Sequence, residues 1–226
     1  MIETILTSPL LGLTLSCLAW CVGLWVQKKT KLILCNPLII AVILVVIVLN
    51  VFHIPFQDFN LGGEFITLML GPVTALLALN IYQQRALLGR YFLPVVVGCL
   101  AGSLVSVGSV LLLCRLLTLE EAITASLMPK SVTTAIAVAI AGSGGGVESL
   151  AIAAVMVAGI TGALFAPMFA RLFHITDPVA QGVAIGACSH ALGTTRAMEI
   201  GQLQGAMSSI AICICGLITS VITLFT

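Results

Sequence analysis

Charge is what this sequence lacks. Of 226 residues, nine are Lys or Arg and eight are Asp or Glu, 8% in all, where an ordinary soluble domain carries about 25%. With 60% apolar residues, the chain reads as a membrane protein and not a soluble one. A formal net charge of +1 leaves no cluster of Lys and Arg to neutralise phosphates, which excludes nucleic acid as a main partner. Catalytic and metal motifs are missing too. There is no HExxH, no cysteine pair at zinc spacing and no nucleotide fingerprint. "GSGGGVES" lacks the Lys-Ser/Thr that closes a phosphate-binding loop and reads as a flexible turn. Adjacent Ser189 and His190 would point in different directions on a helix, which argues against a nucleophile and base. The expectation is therefore no enzyme, no cofactor and no metal. The N-terminus carries Glu3 and no early Lys or Arg, so it lacks the basic region of a signal peptide and is expected to stay as the first span. All eight cysteines lie in apolar stretches and read as small packing residues.

What is present is hydrophobic length. A spanning helix needs about 20 mainly apolar residues at 1.5 Å per residue. Residues 9–27, 32–52, 91–114, 149–170 and 205–225 meet this. Three more segments are apolar but interrupted: 62–81 by "LGPVT", 121–141 by "MPKSVTT" and 178–196 by "SHALGTT". The expected fold is all-α: a polytopic membrane protein of about eight hydrophobic segments, some broken or re-entrant. The chain reads as a single integral membrane domain over 1–226, with N-terminal spans in 1–60 and a transport core in 61–226. Cytoplasmic loops retain Lys and Arg. If all eight segments cross, an outside N-terminus puts Lys28, Lys29, Lys31, Arg85, Arg90 and Arg196 inside and Arg115 and Arg171 outside, with Lys130 within a span. A hairpin that enters and leaves on one side would invert everything after it.

Internal similarity puts the broken segments in register. "TLMLGPVTALLALN" from Thr67 aligns with "TASLMPKSVTTAIA" from Thr124, so that Thr67 meets Thr124 and Pro72 meets Pro129. "LAGSL" at 100–104 resembles "ITGAL" at 160–164, and Arg115 falls opposite Arg171. This suggests a repeat of two-helix units, inverted or tandem, with a third copy from Thr176. Matching Gly- or Pro-interrupted segments are the best sequence pointer to a transporter's binding site. Glycine pairs at 98/102, 182/186 and 201/205 mark close helix contacts.

Inside these segments sit the polar residues that a membrane tolerates least. Lys130 at mid-span costs about 2.5–3.5 kcal/mol on insertion scales, and such residues usually face a cavity, a partner or a pathway. Pro129 suits a first helical turn. A half-helix beginning there would present free N–H groups beside Lys130, Ser131, Thr133 and Thr134, which is the chemistry of an anion site. A second cluster, Ser189, His190, Thr194, Thr195 and Arg196, surrounds Gly193, where the backbone is expected to break. Arg196 can grip a carboxylate through two parallel hydrogen bonds. His190, with a reference pKa of about 6.5, is a proton-coupling candidate, and Glu199 is another. The alternatives are a neutral His190 hydrogen-bonded between helices and an Arg196 paired with Glu199 three residues on.

"MPKSVTT", "GACSHALGTTRAME" and "GAMSSIAI" resemble the signature stretches of the LrgB/CidB family of bacterial inner-membrane proteins. The C-terminal half of the plant plastid glycolate/glycerate translocator is similar to the same family. The resemblance runs from about residue 60 to the C-terminus. It implies a multi-pass carrier of small 2-hydroxy or 2-oxo monocarboxylates (glycolate, glycerate, pyruvate); the periplasmic N-terminus is expected from the six basic residues inside against two outside. It also implies an LrgA/CidA-type small membrane partner; assembly as a homo- or hetero-oligomer is expected because 226 residues are few for a carrier. The alternative it carries is a holin-like or antiholin-like protein that modulates murein hydrolase activity and autolysis. Pro129, Lys130, Ser131, Thr133 and Thr134 match the first motif, and Ser189, His190, Gly193, Thr194 and Arg196 the second. Ala135 stands where the family pattern has a second proline, which weakens the expected helix break.

Overall fold

The computed structural model describes residues 8–30, 37–69 and 82–225, with positions 72, 75, 76 and 79 between them. The described residues are helices and short turns, without a strand. They fall into two compact units, Met1–Val73 and Thr74–Thr226.

The first unit holds α1 (Pro9–Thr30), α2 (Pro37–Val51) and α3 (Phe56–Leu68). Proline opens α1 and α2, where its missing N–H costs nothing. Glycines then let the backbones touch. A methyl group on Gly23 would lie 2.5 Å from the Pro37 carbonyl oxygen, and one on Gly12 would overlap the Phe59 carbonyl of α3. This is the small-residue packing expected where lipid offers no hydrophobic drive between helices.

The second unit comprises α4 (Arg85–Arg90), α5 (Phe92–Leu116), α6 (Glu121–Leu127), α7 (Thr134–Ser143), α8 (Glu148–Leu172), α9 (Pro178–Ile200) and α10 (Gln202–Thr223). Four described helices are long and apolar enough to cross a membrane: α1, α5, α8 and α10. The two interrupted segments of this unit take another form.

The segment expected at 121–141 folds back on itself. A straight helix would separate Ser126 from Val147 by about 30 Å at 1.5 Å per residue. Instead the Val147 N–H donates to Ser126 Oγ at 2.7 Å, and a methyl group on Gly146 would lie 2.9 Å from the Ser126 nitrogen. So α6, the turn at 128–133 and α7 make a hairpin that opens toward the end of α5.

The segment expected at 178–196 does the same from the other end. His190 has φ 40° and ψ −140°, and the helix reverses there. On the first arm, Gly182 packs against Gln204 and Met207 of α10, and Gly186 against Ser208 and Ala211, so the contacts advance together. On the second arm they retreat: Thr194 pairs with Ser208 and Met198 lies against Gly205. Gly193 also touches Ile185, which a continuous helix would hold about 12 Å away.

Helix directions agree with both hairpins. Gly98 and Gly102 of α5 face Val183 and Ala187 in turn, so the first arm of α9 runs parallel to α5. Gly159 and Gly162 of α8 face His190 and Ser189 in reverse order, so that arm is antiparallel to α8. It follows that α5 and α8 are antiparallel, as they must be if the hairpin between them does not cross. The second unit thus has three helices long and apolar enough to cross a membrane, α5, α8 and α10, and two hairpins that enter from opposite ends of them. The long helices end alike: a basic residue in the last turn, Arg115 or Arg171, then a left-handed residue, Thr118 or His174, then an acidic N-cap, Glu120 or Asp177. A core of Val95, Cys99, Val183, Ala187, Met207 and Ile210 ties α5, α9 and α10 together. Of the stretch 67–80 aligned above, half lies outside the described residues; Pro72 is described and exposed.

Candidate functional site

The hairpin tips meet near the midpoint of the 25-residue α5. In the first tip, α7 does not begin at Pro129, as expected, but at Thr134. The reason is capping: the Thr133 hydroxyl accepts from the Ile136 N–H at 3.5 Å, satisfying a first-turn donor that Pro129 has no side-chain oxygen to serve. Pro129 instead closes the turn, its carbonyl accepting from the Val132 N–H at 3.2 Å. Lys130 and Ser131 therefore sit on irregular backbone. Lys130 Nζ donates to Ser106 Oγ at 2.8 Å, and Ser106 Oγ and Ser131 Oγ are 2.8 Å apart. Among the described residues the one salt bridge is Arg196–Glu199, so Lys130 has hydroxyl and carbonyl partners and no carboxylate.

In the second tip the break falls at His190 and not at Gly193. His190 is 3% exposed and its Nε2–H donates to the Val155 carbonyl at 2.7 Å; a carbonyl only accepts, which fixes the proton on Nε2. Gly159 makes room for this, because a methyl group there would overlap the imidazole. Gly162 makes the same room for Ser189. Gly193 serves a different end, letting the returning arm pass Ser189 and Ile185. The Thr194 hydroxyl donates to the His190 carbonyl at 3.0 Å and pairs with Ser208 Oγ at 2.6 Å. Thr195 bonds the Ala191 carbonyl of its own helix.

A cavity of about 1490 Å³ runs beside α8 and past both tips. Four of the expected site residues line it: Lys130, Ser131, Ser189 and Arg196. Thr133, Thr134, His190, Gly193 and Thr194 do not; the side chains of Thr133, His190 and Thr194 cap or pin the hairpins. Lys130 and Arg196 also lie at different depths. Arg196 is six residues beyond the tip on the returning arm, about 9 Å away, whereas a three-carbon acid spans about 5 Å given C–C bonds near 1.5 Å. Arg196 pairs with Glu199 at 2.5 Å, and its Nε is buried with no partner among the described residues. Sequence reading missed Ser106, Ser208, Gly159, Gly162 and the Val155 carbonyl. A signal existed for the glycines, since Gly159 stands four residues from Ala163 and Gly162 four from Ala158 and Ala166 on α8.

The profile of the LrgB-like family matches residues 16–226. The chain belongs to the LrgB-like family. Proteins similar to this LrgB-family chain include the antiholin-like protein LrgB of Bacillus subtilis, 33% identical over 213 residues and covering 94% of this chain and 92% of that protein. The antiholin-like protein LrgB of Bacillus mycoides is 32% identical, covering 95% and 94%. The uncharacterised protein YxaC of Bacillus subtilis is 34% identical, covering 85% and 84%. No solved structure matches the chain.

Proposed function

We propose that this LrgB-family chain is a secondary transporter of small 2-hydroxy and 2-oxo monocarboxylates, such as glycolate, glycerate and pyruvate, in the bacterial inner membrane. The observation that carries the reading is Lys130, a cation beside the midpoint of α5 on irregular backbone, facing a cavity without a carboxylate partner among the described residues. Broken backbone at membrane depth is tolerated where it lines a cavity, and a cation there is tolerated where an anion meets it. Substrate carboxylate docks on Lys130, with Ser106, Ser131 and Ser189 available to its oxygens. Opposed hairpins on α5 and α8, with matching helix ends, support an inverted-repeat reading. Glu199, paired with Arg196, and His190, bonded to the Val155 carbonyl, are the two candidates for proton coupling.

The fold-back revises the charge count. Arg85, Arg90, Arg171 and Arg196 fall on the face where α8 ends, and Arg115 falls opposite with Glu120, Glu121 and Glu148. The basic face is read as cytoplasmic, with a periplasmic N-terminus and an LrgA/CidA-type partner or further copies completing the assembly. The relatives' antiholin-like names favour a second reading, a membrane protein that modulates murein hydrolase activity and autolysis. Liposomes containing the protein, with and without such a partner, separate the two. Saturable uptake of labelled glycolate, glycerate or pyruvate, lost in Lys130→Ala, supports a carrier; no uptake, with release of an unrelated dye, supports the second.

A further inference from the structure

The cavity does not end at the tips. Beyond Ser189 it continues for eight residues down the first arm of α9 to Gln181, about 12 Å, and reaches the residues that end α8, which we take as its mouth. There its wall includes Arg171, His174, Thr176, Gln181 and Arg196. Two arginines thus stand at one mouth of a cavity whose inner end holds a lysine. Two carboxylates lie close by, and neither lines the cavity. The Asp177 carboxylate accepts from the Ala180 N–H at 2.7 Å as the cap of α9, and Glu199 holds Arg196. Gln181 is fixed by the Ile175 carbonyl at 2.7 Å. Arg171 has no carboxylate among the described residues. Its counterpart Arg115, at the matching end of α5, does not line the cavity.

We infer that Arg171, with Arg196 behind it, forms a second anion site at the mouth, which collects a small carboxylate before it reaches Lys130. The inference rests on the transport reading and adds a site to it. A cleft lined by one sign of charge with apolar walls focuses the field and raises the local concentration of an oppositely charged substrate, an effect that salt screens. Arg171 acts on capture, not on the bound state at the tips.

The test is exchange of radiolabelled glycolate in liposomes containing the full chain, at low and high ionic strength. Arg171→Gln is expected to lower exchange at low glycolate about 10-fold in low salt, within the range of electrostatic steering. It should remove most of the salt dependence and leave the rate at saturating glycolate near wild type. Arg115→Gln should behave as wild type. If Arg171→Gln keeps the wild-type salt dependence, or both variants lose it equally, the mouth site is wrong although the carrier stands. If wild type shows no saturable exchange, the transport reading falls and the mouth site with it. A readout that needs no variant is phenylglyoxal labelling, resolved by peptide: glycolate should slow labelling at Arg171 and not at Arg115, and equal protection or none would overturn the assignment.

Discussion

Replacing Gly159 with alanine is the sharpest test of the second hairpin. The added methyl would overlap the His190 imidazole and lie 3.0 Å from Leu192. Overpacking of this kind costs about 1–3 kcal/mol. If the ring is pushed off Val155, a buried N–H and carbonyl lose each other, about 1–3 kcal/mol more. Alanine returns about 0.5–1 kcal/mol in helix propensity. The net is a loss of about 1–5 kcal/mol. Gly108→Ala is the matched control, since a methyl there meets nothing within 4 Å, and it should gain about 0.5–1 kcal/mol. Thermal unfolding in detergent reads the difference, at about 2–4 °C per kcal/mol for a chain of this size. If Gly159→Ala unfolds where Gly108→Ala does, His190 is not seated against α8 and the hairpin as described is wrong.

Thr194→Val and Ser208→Ala should each destabilise, and a double-mutant cycle should return a coupling of about 1 kcal/mol for the hydroxyl pair; additive effects would disprove the contact. Ser126→Ala deprives the Val147 N–H of its acceptor and should loosen the first hairpin by about 1–2 kcal/mol, read as faster proteolysis within residues 144–147. Cys188 is exposed and lines the cavity, while Cys99 and Cys215 are buried. In single-cysteine variants a maleimide should therefore label Cys188 fastest, with glycolate slowing it; equal rates at all three would contradict the packing.

Local pattern carried much of this fold. The expected spans 91–114 and 149–170 lie within a few residues of α5 and α8, because an uninterrupted apolar run has one way to satisfy its backbone in lipid. Breaks near Pro129 and within "SHALGTT" were also legible, since proline and clustered hydroxyls compete with helical bonding. Their geometry was not. Whether a broken segment crosses or turns back depends on contacts such as Ser126 with Val147, which no window of periodicity contains. The break was expected at Gly193 because glycine tolerates a positive φ best. It falls at His190 because one ring hydrogen bond, made possible by a glycine on another helix, holds the less favourable residue there. For the same reason the Thr133 and Thr194 hydroxyls, read as ligands, are used up in building the tips.

The dependence of α9 on α10 bears on how the protein is made. Both arms of the second hairpin rest on the last helix, through Gly182 and Gly186 on one side and Thr194 and Met198 on the other. A ribosome delivers α9 before α10, so during synthesis the hairpin has α5 and α8 to lean on but not its principal support. The tip is finished last. A stop codon after Gly201 would delete no side chain of the tips or the mouth, yet the nascent chain would leave the translocon without a place for its second hairpin to settle.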